Sequence, residues 1–89
     1  MTVLERKTIN KLNEFYHLFV EVPVKTWEVE QTEKTHDDMM DNINYFKTKA
    51  REIVDTVVDL YSYGIANEKE TKAIMDEYTR LNQKAAKIN

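Results

Sequence analysis

Residues 20–38 read VEVPVKTWEVEQTEKTHDD, and the interpretation of this stretch decides the fold of the 89-residue chain. It contains the only proline (Pro23) and the only tryptophan (Trp27), and it separates two segments of clear helical periodicity. Val20, Val22 and Val24 alternate with polar residues, and the alternation changes phase before Trp27 and Val29. The spacing predicts either two short extended pieces around Lys25 and Thr26, or one irregular loop that drops Trp27 onto the end of the core. An irregular or short extended insert over residues 21–34 is therefore expected between a first and a second helix.

Toward the amino terminus, Thr2 with Glu5 three residues later has the spacing of a helix-capping pair. Ile9, Leu12, Tyr16 and Phe19 then recur at three, four and three, one face of a helix. The first helix is placed at about 3–20 and ends where the valines and Pro23 take over. Toward the carboxyl terminus, Met39, Ile43, Phe46, Ala50, Ile53, Val57 and Leu60 follow a sustained four–three repeat, the strongest periodic signal in the chain. It predicts a second helix over about 35–63, opened by Thr35 with Asp38, or by Thr32, and closed by Gly64 in a left-handed cap. Asn67 with Glu70 opens a third helix, about 68–88, carrying Ile74, Tyr78, Leu81, Ala85 and Ile88. The short connection at residues 65–67 predicts an antiparallel hairpin of the second and third helices.

The expected fold class is all-α: a single helical domain, residues 1–89, forming a three-helix bundle on that hairpin. One glycine, one proline and 33% charged residues support it, because a chain so poor in turn residues favours long helices over many short strands. The absence of cysteine excludes a disulfide framework, a thiol nucleophile and any cysteine-based metal site. Neither a signal-peptide core nor the roughly 20 apolar residues of a membrane span is present, so a cytoplasmic protein without a membrane partner is expected.

Charge is unevenly distributed. Between Glu21 and Asp41 there are seven acids (Glu21, Glu28, Glu30, Glu33, Asp37, Asp38, Asp41) against two bases (Lys25, Lys34), a local net of −5 in a chain of net −3. Asp37, Asp38 and Asp41 suit the positive end of the second helix dipole, but the total exceeds that need. An acidic segment around a tryptophan suggests a surface for a basic protein partner, with Trp27, Glu28, Glu30, Glu33, Asp37, Asp38 and Asp41 as the binding residues. Met39, Met40, Ile43 and Phe46 offer a second kind of surface, a flexible and aromatic seam suited to self-association, with a dimer as the first expectation.

The function expected is thus non-catalytic: a small protein-interaction module acting as an inhibitor or adaptor, a class that includes virus-encoded proteins blocking host factors. No catalytic residue, metal site or cofactor is predicted. His17 and His36, the only histidines, fall in different segments and take surface or capping roles. Two alternatives are carried. Lys47 and Arg51 share a helix face that could associate with nucleic acid, although Lys49 projects elsewhere and Glu52 and Asp55 follow. Glu30 and Glu33, then Glu52 and Asp55, form E-x-x-E followed by E-x-x-D, which resembles the magnesium signature of the all-α nucleotide pyrophosphohydrolases of the MazG type. That resemblance implies these four carboxylates converging on Mg²⁺ in a bundle interior.

Overall fold

The computed structural model describes residues 1–88. The chain is all-α, with no strand among the described residues. Helix α1 spans Val3–Tyr16, a π-helical turn spans His17–Glu21, and α2 spans Val22–Glu30; α3 spans Glu33–Ser62 and α4 spans Glu68–Ala86. The first three segments follow one another without a break, so residues 3–30 form one composite rod about 42 Å long at 1.5 Å per residue. The molecule measures 48 × 20 × 17 Å, close to the length of its longest helix.

This corrects the insert expected at residues 21–34, which is helical except for Gln31 and Thr32. The valine alternation misleads because a two-residue period and a helical face coincide at positions i and i+4. Val20 and Val24 satisfy both, and Trp27 follows at i+7 on the same face. β-Propensity is a weak preference that packing overrides.

Leu12, Tyr16, Val20, Val24 and Trp27 are spaced four, four, four and three. In a regular helix each four-residue step overshoots a full circle by about 40°, so three in succession would carry Val24 about 120° away from Leu12. A π turn takes in one extra residue and cancels most of that drift. The Val22 N–H accordingly bonds to the His17 carbonyl, five residues back. The wide turn also accommodates Pro23, which has no N–H to donate and whose ring would strike the carbonyl four residues earlier in a regular helix. Leu12 and Val20 end up 0% and 1% exposed on the same buried side.

The rod reverses through Gln31, a non-glycine residue in the left-handed region at φ 40° and ψ 45°, whose N–H bonds to the Trp27 carbonyl at 2.7 Å. Thr32 then caps α3, its hydroxyl accepting the Thr35 N–H while Thr35 Oγ1 accepts the Thr32 N–H at 2.9 Å. The cap is thus Thr32, the alternative of the two threonines, and Thr35 is its reciprocal partner. Relieving the left-handed strain with Gln31→Gly is expected to stabilise the fold by about 0.5–1 kcal/mol. A thermal melt should show this as a rise of a few degrees, and an unchanged or lower Tm would refute it.

Gly64, at φ 76°, ends α3 as expected. The Ile65 N–H bonds to the Leu60 carbonyl at 2.8 Å and the Gly64 N–H to the Tyr61 carbonyl at 3.0 Å, the paired bonds of a Schellman cap. Asn67 and Glu70 form the capping box of α4.

Side-chain contacts fix how the rods lie together. Tyr16 meets Phe46 edge-on, Phe19 meets Tyr45, and Trp27 meets His36, so residue numbers rise along the first rod as they fall along α3. Against α4 they rise together: Thr2 donates to Glu70, Asn13 to Glu77 at 3.1 Å, and the Lys84 ammonium lies 4.9 Å from the Tyr16 ring centre. One core joins Leu12, Tyr16 and Val20 to Met39, Ile43, Phe46, Ala50 and Val57 of α3 and to Ile74, Leu81 and Ala85 of α4.

Glu70 is nearly buried, and its carboxylate accepts from the Thr2 hydroxyl and from the Asn67 N–H, tying the start of α1 to the start of α4. These bonds, that of Thr2 first, hold its carboxyl below the usual range. Its contribution is therefore present above the unfolded-state pKa, about 4.3, and is lost as pH falls through the lower folded value. Glu70→Gln is expected to flatten the acid limb of a stability-against-pH curve below about pH 4; a curve parallel to that of the parent would refute this.

Candidate functional site

The hairpin of α2 and α3 forms one end of the rod, and here all seven acids of residues 21–41 are exposed. Three have a basic neighbour. Lys34 bonds Asp38 at 2.7 Å, His17 lies 3.4 Å from Glu21, and His36 lies 3.8 Å from Asp37. The bond to Asp38 pushes the Lys34 ammonium pKa up, but a pair this exposed adds little to stability. Glu28, Glu30, Glu33 and Asp41 have no ion-pair partner among the described residues. The acidity of the sequence thus becomes a negatively charged tip.

Within that tip Trp27 is half-buried, packed against the core with its ring edge-on to His36 at 5.9 Å between centres. Two cavities lie on different faces of the same hairpin, and Trp27 lines neither. On one face Leu18, Val22, Pro23, Thr35, Asp38 and Met39 line a cavity of about 280 Å³. On the other, Tyr16, Val20, Glu21, Val24, Lys25, Glu28 and Ile88 line one of about 210 Å³, and Ile88 marks how far the residues after α4 reach along the rod. Burial is the main cause raising the Tyr16 hydroxyl pKa there, with Glu21 adding and Arg80 opposing.

Met39, Ile43 and Phe46 are each at most 1% exposed inside the chain's own core, and Met40 is half-buried against it. The seam that suggested self-association is filled from within, because the composite rod reaches the amino half of α3 that a first helix ending near residue 20 would have left open. Exposed apolar side chains lie at both ends of the rod: Val29 is 84% exposed in the tip, and at the opposite end Tyr63 and Ile65 are 78% and 70% exposed. Periodicity could not show the latter pair, since both follow the end of the repeat.

The four carboxylates of the pyrophosphohydrolase pattern do not converge. Glu30 and Glu33 are exposed on either side of the hairpin turn, whereas Glu52 and Asp55 lie about 28 Å or more along α3 from Glu33. Glu52 accepts from Lys49 at 3.3 Å and Asp55 from Arg51 at 3.1 Å, both on the surface. No cluster of three or more potential metal ligands occurs among the described residues.

Lys47 and Arg51 meet Tyr78 and Asn82 across an open groove of about 670 Å³ between α3 and α4. Asp55 accepts from Arg51, and Glu52 also lines the groove, so negative charge offsets the two cations and no basic stripe extends along the face. No helix among the described residues is long and apolar enough to cross a membrane. No protein-family model, curated protein or solved structure matches the chain.

Proposed function

We propose that the chain is a three-helix bundle on an antiparallel α3/α4 hairpin and serves as a non-catalytic protein-interaction module, an inhibitor or adaptor. It engages a partner of basic surface through its acidic tip. The observation carrying this reading is the placement of the only tryptophan, half-buried, among seven exposed acids at one end of the rod. Tryptophan is enriched among residues that dominate binding energy, and like charge sets sign preference and encounter rate. The same charge opposes pairing of two tips.

The test is affinity capture of the tagged protein from its native cell, followed by mass spectrometry, with Trp27→Ala and Asp37→Lys/Asp38→Lys proteins as parallel baits. The expected result is a partner retained by the parent and lost by both variants. Identical capture by all three baits would overturn the reading.

A further inference from the structure

We infer that the tip receives a basic amphipathic helix of a partner protein, laid in line with α4 against Val24, Trp27 and Met40. This rests on the interaction reading above and specifies the partner's chemistry. The argument begins with unequal lengths. The composite rod over residues 3–30 and the 30-residue α3 run the length of the molecule, whereas α4 has 19 residues, and Ile88 beyond it lines a cavity with Tyr16, Val20 and Val24. From Val24 to the end of the rod at Glu30 is six residues, about 9 Å or under two helical turns at 1.5 Å per residue.

Over that length the side of the hairpin continuing the line of α4 keeps the character of a core face. Val24 and Trp27 prolong the buried row Leu12, Tyr16 and Val20, and Met40 stands one turn after His36, which contacts Trp27. All three are half-buried and packed on the core, as expected where one layer of cover is missing. Flexible methionine and rigid tryptophan suit a helix-in-groove mode, in which a partner sets apolar residues at i, i+3, i+4 and i+7 into such a trough.

The margins select the charge of the occupant. Glu28 lines the α2 side beside Val24. Glu33 and Asp37 share a stripe with Met40 at i, i+4 and i+7 on α3. None of the three has a strong cation partner among the described residues; Asp37 has only His36 at 3.8 Å. Lys25 opposes this charge beside Val24, and Lys84 lies further back, over the Tyr16 ring. A helix with lysine or arginine flanking its apolar stripe would pair with both margins, whereas a second copy's tip would bring acid against acid.

The probe is a synthetic 14-residue peptide with leucines in one helical stripe and lysines elsewhere, beside a peptide of identical composition scrambled to destroy the stripe. Trp27, the only tryptophan, reports binding through its own emission. The expected result is a saturable blue shift with the amphipathic peptide and about tenfold weaker binding of the scrambled one. By fluorescence anisotropy of labelled peptide, Trp27→Ala should weaken binding about 30-fold, the scale of a dominant interface residue. Glu28→Lys/Asp37→Lys, two exposed changes that spare the core, should weaken it at least tenfold.

Equal binding of both peptides, an unmoved Trp27 emission, or full binding to the charge-reversed protein overturns the inference. So does a stable dimer in light scattering that is lost on Trp27→Ala, which would assign the trough to a second copy. A Trp27-dependent captured partner alongside a peptide that fails to bind refutes the basic helix alone and leaves the interaction reading standing.

Discussion

Phe46→Ala is expected to remove about 3–5 kcal/mol of folding stability, the range for truncating a fully buried aromatic ring. Phe46 is 0% exposed and meets the Tyr16 ring edge-on, with centres 5.4 Å apart. The substitution thus leaves a cavity and also strips the first rod of its aromatic contact with the middle of α3. A chain of this length has a total stability of roughly 4–13 kcal/mol, so a substantial unfolded population should appear at 25 °C. Urea denaturation followed by circular dichroism measures it. Tyr45, next along α3, makes a similar edge contact to Phe19 at 4.7 Å but is 45% exposed. Tyr45→Ala should cost about 1 kcal/mol, mostly the aromatic pair itself. Equal losses at the two positions would show that Phe46 does not hold the centre of the core.

The second large effect concerns the π turn. Deleting the exposed residue His17 would reset the spacing after Tyr16 to three, four and three, which a regular helix satisfies. The same deletion would place the proline inside a regular helix, where it costs about 3 kcal/mol or more. The expected result is strong destabilisation by the deletion alone and recovery to within about 1 kcal/mol of the parent when Pro23→Ala is added. Such non-additivity is characteristic of two changes acting on one backbone feature. Denaturation curves of the parent, both single variants and the combination decide it. Simple addition of the single effects would mean that the π turn is not what reconciles register with proline.

Much of α3 and α4 is legible in the residue spacing alone. A four–three repeat sustained over some 22 residues has one physical solution, and Met39, Ile43, Phe46, Ala50 and Val57 are buried accordingly. The caps at Thr2, Asn67 and Gly64 are legible for the same local reason, since each satisfies backbone groups within a few residues. The candidate site is legible as composition: an excess of acid around one tryptophan.

Residues 21–34 are not legible in this way, because local signals there point away from the outcome. Proline, β-branched valines and a phase change favour extended chain, and only long-range burial of Val20, Val24 and Trp27 against α3 makes one more helix the better solution. The position of Glu70 beneath Thr2 is likewise hidden in the sequence, since 68 residues of chain separate the two.

Spacing within a few turns is therefore enough to set the all-α class, the long central helix, most of the helix ends and the acidic character of one segment. Tertiary packing was needed to settle that the first helix continues through a π turn to Glu30, that the methionine and phenylalanine seam is filled from within, and that the acids crowd one tip around Trp27. Those outcomes depend on contacts between residues far apart in the chain, where the free energy of filling a shared core outweighs the local preferences of proline and valine.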